Sequence, residues 1–205
     1  MFNLKQLLLL SLMCSTYAED SDITKFMKHL EVIPDLISEG PKDFLKVIYD
    51  SGVMADKGVE VTPTQVKHQP KVEWKPASAD TYYTLLMTDP DVPSRAKPES
   101  REFEHWLVGN IPGDQLNKGE VISEYVGSGA PKGTGLHRYV FLLFQQAKKL
   151  EFTETRATNK SMEGRQKFST KNFVEKYGLG VPVAGNFFQA QYDDSVPELY
   201  KQLGL

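Results

Sequence analysis

Ile23, Phe26, Met27 and Leu30 recur at helical spacing behind Ser21 or Asp22, either of which can act as a cap. They predict a short amphipathic helix near the N-terminus. From Phe44 onward the period shortens. Phe44-Leu45-Lys46-Val47-Ile48-Tyr49, Gly58-Val59-Glu60-Val61 and Val72-Glu73-Trp74 read as strands separated by turn residues. Tyr82 to Thr88 is a longer, apolar and aromatic strand. His105 to Ile111 and Tyr139 to Phe144 are nearly continuous apolar runs, which predicts strands buried on both faces. Helical spacing returns at Phe173, Val174 and Tyr177, within a helix over Thr170 to Tyr177 capped by Ser169 and stopped by Gly178. A last helix runs from Val196 to Leu203, with Pro197 in its first turn and Gly204 just past its end. The chain shows no internal repeat. Many strands at irregular spacing, joined by turn-rich gaps, predict a mainly β fold. The expected architecture is an antiparallel β-sandwich with peripheral helices at its N- and C-terminal ends.

The first residues follow a different logic. Lys5 precedes a short apolar run, Leu7 to Cys14, and small residues stand at Thr16 and Ala18 before charge returns at Glu19-Asp20. That is the pattern of a secretory signal over residues 1–18, and the run is far shorter than the roughly 20 residues that span a bilayer. Cleavage after Ala18 would remove Cys14, the only cysteine, and with it any disulfide, thiol nucleophile or thiolate metal site. Residues 19–205 are then expected to form one domain, long enough to build its core without disulfides. A net charge of -3 gives no electrostatic case for nucleic-acid binding. The expected product is secreted and extracellular, with Asn159-Lys160-Ser161 available as an N-glycosylation acceptor.

Three segments place polar, turn-forming residues directly beside buried strands. Asp89-Pro90-Asp91-Val92-Pro93-Ser94-Arg95 ends a strand in two carboxylates, with the backbone restrained by Pro90 and Pro93. It reads either as a rigid turn with solvated acids or as a pair of held site carboxylates. His105 opens an apolar strand, as a hydrogen-bonded core residue or as a ligand contact. Gly127-Ser128-Gly129-Ala130-Pro131-Lys132-Gly133-Thr134-Gly135-Leu136-His137 is either a long hairpin loop or a backbone cradle for an anion. It has neither the spacing of a P-loop nor that of a nucleophile elbow.

Taken together, Asp89-Pro90-Asp91-Val92-Pro93, His105 sixteen residues after Asp89, and Gly135-Leu136-His137-Arg138-Tyr139-Val140-Phe141 resemble the paired signature of the phosphatidylethanolamine-binding protein family. Val61-Thr62-Pro63-Thr64-Gln65-Val66 is similar to that family's early strand-to-turn segment. Pro182 to Ala190, with Asp193-Asp194, is similar to its C-terminal region. The resemblance implies a small anion pocket at one end of a β-sandwich. By motif, its ligand-binding residues are Asp89, His105, Ala130, Pro131, His137, Tyr139 and, from the last helix, Tyr200. Two features depart from the family's usual pattern. Glu104 stands where a second histidine is common, so that a carboxylate could lie near the pocket mouth and weaken anion binding. The secretory segment is also unusual in a mostly cytoplasmic family.

The implied function is binding of a phospholipid headgroup such as phosphoethanolamine, or another small anion, without catalysis and without cofactor or metal. His105 and His137 would contact the phosphate while Asp89 orients one of them, and one histidine could carry charge. Two alternatives stay open: a protease inhibitor or other protein-binding regulator, and an extracellular carrier of small amphipathic ligands. The chain is expected to be a monomer without a transmembrane segment.

Overall fold

The computed structural model describes residues 19–205, so the secretory pattern over 1–18 lies outside the described residues. The helices α1 (Asp22–His29) and α2 (Val32–Asp35) come first. The short strands β1 (Asp43–Phe44), β2 (Lys46–Ile48), β3 (Met54–Ala55), β4 (Val59–Glu60) and β5 (Lys71–Glu73) follow. Then come β6 (Tyr82–Asp89), β7 (Phe103–Pro112), β8 (Glu120–Ser123), β9 (His137–Gln146), α3 (Thr170–Tyr177), β10 (Ala184–Ala190) and α4 (Val196–Gln202).

The main sheet has the order β1-β10-β9-β6-β7-β8, with β4 also on β10, and β3-β2-β5 form a second sheet. The main sheet is antiparallel except at its β10 edge. There β1 and β4, two residues each, add in parallel beside the two halves of β10. The fold is therefore mainly β, as expected, with that parallel edge added to the antiparallel strands.

Alternation along the long strands sorts the core into two layers. Leu85, Met87, Tyr139, Phe141 and Phe188 pack toward the small sheet, with Val47 and Val72. Leu86, Val140, Leu142 and Phe187 pack on the other face against Ile23 and Met27 of α1 and Phe173 of α3. The main sheet is covered on both sides, which is why its strands read as continuous apolar runs.

The predicted strand over Phe44 to Tyr49 is divided between the two sheets. Leu45 is the handover. Its N–H donates to the Gly185 carbonyl (2.9 Å), and its carbonyl accepts from Asn186 Nδ2 (3.0 Å), while its side chain is fully buried. In α1 the predicted apolar stripe holds at Ile23 and Met27, but Phe26 is 40% exposed, with Lys57 Nζ 5.6 Å above its ring. The caps are where the sequence puts them. Ser169 accepts from Asn172 N (3.2 Å), and Gly178 takes the left-handed conformation (φ 61°) at the end of α3.

Buried charge fixes the end of the sheet where the site lies. Arg138, with no exposed surface, donates from Nε to Asp91 Oδ2 (2.9 Å) and from Nη2 to Asp91 Oδ1 (2.6 Å) and Asp35 Oδ2 (2.7 Å). Asp91 Oδ2 also accepts from the Arg138 backbone N–H (2.9 Å). Arg165 is equally buried and has carbonyls as its hydrogen-bond partners, among them those of Glu104 (3.1 Å), His105 (3.2 Å), Glu124 (2.7 Å) and Thr158 (3.0 Å). It ties the long connection before α3 to β7. Glu102 accepts from Thr170 N (2.9 Å) and Thr88 Oγ1 (3.0 Å), anchoring the first turn of α3 to the same strand.

Burial pushes the Glu104 carboxyl up to about 7, against the opposing effects of the Ser123 hydroxyl and the Arg165 charge.

Two stability predictions follow from these buried charges. Asp91→Ala removes one of the two carboxylates on Arg138, leaving Asp35, and is expected to cost about 3 kcal/mol in urea unfolding, while Arg95→Ala, at an exposed pair with Glu31, costs under about 1 kcal/mol. For Glu104, the unfolded chain ionises near the usual 4.5 and the folded chain near 7. The folded state holds the extra proton between those values, so stability falls as pH rises through that window and levels off above it. Glu104→Gln should therefore flatten the fall between pH 4.5 and 7 and be stabilising at pH 8 relative to its effect at pH 4, by a few kcal/mol.

Candidate functional site

Antiparallel pairing brings sequence-remote residues together. The end of β6 lies beside the start of β7, with Asp89 paired to Phe103. The start of β9 meets the end of β10, with His137 paired to Ala190. Asp89, His105 and His137 are therefore collected at one end of the sheet, all at least nine-tenths buried. They line a pocket of about 140 Å³ whose remaining walls include Val92, Phe103, Pro131, Leu199 and Tyr200.

Asp89 has both oxygens engaged. Oδ1 accepts from the Asp91 N–H (2.7 Å), and Oδ2 accepts from His137 Nδ1 (2.8 Å). The carboxylate thus sets the tautomer and the plane of the His137 ring. His137 Nε2 lies 2.9 Å from Thr134 Oγ1, which is also 2.8 Å from the Pro131 carbonyl. In the neutral imidazole, Nε2 and that carbonyl compete for the single Thr134 proton. A proton on Nε2 turns the contact round and leaves Thr134 donating to Pro131.

His105 is held differently. Its Nδ1–H donates to the Val126 carbonyl (2.9 Å), and its ring sits edge-on between Phe103 (4.8 Å) and Tyr139 (5.1 Å). Burial lowers its pKa to about 4, against the Asp89 charge, which raises it. In the unliganded pocket at neutral pH, His105 is uncharged, with Nε2 as a hydrogen-bond acceptor. The expectation of two histidines donating to one phosphate is thus met at His105 only if it takes up a proton.

Two of the residues expected at the site are not on the pocket wall. Tyr139 is fully buried beneath it. Its hydroxyl accepts from the Gly129 N–H (3.2 Å), and its ring stacks on Phe188 (5.0 Å) and His137 (6.5 Å), so it positions rings and loop without facing the cavity. Ala130 is also buried, behind the loop backbone, and does not line the pocket. Pro131 does, and so does Tyr200, whose hydroxyl donates to the Gly129 carbonyl (2.9 Å). Glu104 does not reach the mouth. Its side chain is buried near Ser123 and Arg165, so it places no carboxylate on the pocket wall.

The apolar wall was the part that sequence reasoning missed. Phe103 lies two residues from His105 on the same strand face, a period-2 signal that could have found it. Leu199 and Tyr200 lie on α4, and Leu203, four residues after Leu199, caps its end. Met162 comes from an irregular connection that gives no periodic signal. Asn159 stands half-buried in a turn of that connection, its backbone N–H donating to Glu124 Oε2 (2.8 Å). Among the described residues no cluster of three or more His, Cys, Asp or Glu side chains could hold a metal ion, and no helix is long and apolar enough to cross a membrane.

The model of the phosphatidylethanolamine-binding protein family matches residues 46–188. A Drosophila melanogaster protein that carries the name odorant-binding protein A5 is 41% identical over 199 residues, covering 96% of this chain and 94% of its own. The solution structure of CG7054 is 45% identical, with a TM-score of 0.70, over 84% of this chain and 98% of that one. A carboxypeptidase Y inhibitor in complex with its cognate proteinase is 25% identical, with a TM-score of 0.70, over 83% of this chain and 95% of its own. The stretch matched by the family contains Asp89, His105 and His137 together with the strands that gather them, and on that agreement the chain belongs to the phosphatidylethanolamine-binding protein family.

Proposed function

We propose that this protein binds a small phosphate-bearing headgroup of the phosphoethanolamine type in the Asp89–His105–His137 pocket, outside the cell and without turnover. The observation that carries the reading is the oriented Asp89–His137 pair facing a pocket of about 140 Å³ beside a second histidine. That space suits a headgroup and leaves acyl chains outside. The secretory pattern over 1–18 supports an extracellular location, and the half-buried turn at Asn159 keeps it a candidate glycosylation acceptor.

The chain Thr134–His137–Asp89 has the connectivity of a nucleophile, a base and an orienting acid. Thr134 does not line the pocket, however, and its hydroxyl is shared between His137 Nε2 and the Pro131 carbonyl of its own loop. A substrate in the cavity would meet His137 and not the hydroxyl, which supports binding over catalysis. A second reading, a carrier of small amphipathic ligands, is favoured by the walls of Val92, Phe103 and Leu199 and by the name of the fly relative.

The test is calorimetric titration with phosphoethanolamine. His137→Ala should lower affinity at least about tenfold, near 1.4 kcal/mol. Thr134→Ala frees Nε2 and should leave affinity equal or higher. Equal binding by wild type and His137→Ala would remove the site from this pocket.

The pH dependence has a definite sign. His105 is neutral above about pH 4 in the empty pocket, and a bound anion favours its protonated form. The charged groups that bear on it are Asp89, which favours the proton, and Arg165, which disfavours it. Binding should therefore take up a proton above about pH 4 and tighten as pH falls, and His105→Gln should abolish the part of the uptake that belongs to the protein. Titrations in buffers of different ionisation enthalpy measure this, and wild-type uptake no greater than that of His105→Gln would contradict it.

A further inference from the structure

Asn159 and Lys160 are the central residues of a tight turn in the long connection before α3, closed by the Ser161 N–H on the Thr158 carbonyl (3.3 Å). Asn159 is half-buried, and its hydrogen bonds run through its backbone. The N–H donates to Glu124 Oε2 (2.8 Å), and the carbonyl accepts from Gln202 Nε2 of α4 (2.7 Å). These bonds hold the turn between the segment after β8 and the last helix without using the Asn159 side-chain amide, the group to which a sugar would be joined.

Asn159 also stands on the wall of a surface groove of about 470 Å³. The groove is lined by residues of the segment from Pro63 to Gln69, by Val121 and Tyr125, and by Leu199 and Gln202 of α4. Its cations are already matched. Lys67 Nζ is 2.9 Å from Glu198 Oε2, and His68 Nδ1 is 2.7 Å from Asp50 Oδ2. A neutral occupant therefore suits it better than an ion. Pro63, Val121, Tyr125 and Leu199 offer carbon surface, while Gln69 and Gln202 offer amides. A pyranose ring has the complementary make-up, with C–H faces for the carbon and a rim of hydroxyls for the amides.

We infer that Asn159 carries an N-linked glycan whose innermost N-acetylhexosamine lies in this groove and braces α4 against the Pro63–Gln69 segment. This rests on the extracellular reading above, since sugar is added on the secretory route. Attachment at the groove's own wall gives the sugar a high effective concentration there, so weak contacts are enough to seat it. The brace falls where the helix needs one. Its ion pair to that segment, Lys67–Glu198, is exposed on both sides, and such pairs contribute little. Leu199 lines the groove and also the histidine pocket, so a sugar packed on α4 steadies a wall of that pocket from outside.

The experiment expresses the full chain in eukaryotic cells and recovers the protein from the medium. Its intact mass should show a glycan that Asn159→Gln and Ser161→Ala remove and that Ser161→Thr, which retains the hydroxyl of the acceptor triplet, keeps. An endoglycosidase then trims the glycan to its innermost sugar. In that trimmed form, amide exchange over residues 63–69 and 196–202 should be at least about fivefold slower than in Asn159→Gln and in Ser161→Ala. Exchange in α3, away from the groove, should be equal in all of them, which shows that the variants are folded. A secreted chain with a bare Asn159 overturns the inference and leaves the extracellular reading standing. A sugar that is attached but leaves exchange over both segments unchanged overturns its seat in the groove. A chain kept inside the cell with a bare Asn159 overturns both readings.

Discussion

The site depends on one buried ion pair. Asp91 and Arg138 meet with no solvent exposure on either side chain, and the same Asp91 accepts the Arg138 backbone N–H. Removing charge from water is expensive, and only a geometry as fully bonded as this one offsets it. The pair therefore admits one register between the loop after β6 and the start of β9. Adjacent residues on a strand point to opposite faces. Once Arg138 is locked to Asp91 on one side, His137 is presented to Asp89 on the other. The Asp91 N–H, which donates to Asp89 Oδ1, closes the arrangement.

This framework yields a pocket with less positive charge than its two histidines imply. His105 is pinned through Nδ1 to a carbonyl and kept neutral by burial, and Asp89 contributes a carboxylate. An anion bound there as proposed would need its positive charge supplied at the moment of binding, by a proton taken up by His105. The walls act the other way. Phe103, Val92 and α4 exclude water, which strengthens each polar contact once it forms.

The long strands and the capped helices were legible because their signals are local: alternation, apolar runs, Ser169 and Gly178. The site's three central residues were legible because they sit in restrained, turn-rich segments at strand ends. Less was visible where tertiary context decides. Leu45 carries the chain from one sheet to the other, and no local pattern marks it. Phe26 keeps helical spacing but is left at the surface under Lys57. Tyr139 carries the site's motif but lies beneath the pocket, because it sits two residues further along the strand on the face of His137, where Phe188 and the Gly129 loop cover it. Glu104 looks from sequence like a charge at the mouth, yet it is a buried, proton-holding side chain near Arg165. Met162 and Leu203 reach the pocket through packing alone.

The division of labour between loop and wall has a consequence for how this scaffold can diversify. The charged framework uses Asp35, Asp91 and Arg138, and none of these lines the cavity. The residues that give the cavity its shape, Val92, Met162, Leu199 and Leu203, lie on connections and on a seven-residue helix outside the main sheet. Volume and polarity of the binding site can therefore be changed at those positions with little effect on the interactions that hold the sheet end together. The lining of the pocket can in this way vary while the Asp35–Asp91–Arg138 lock stays as it is.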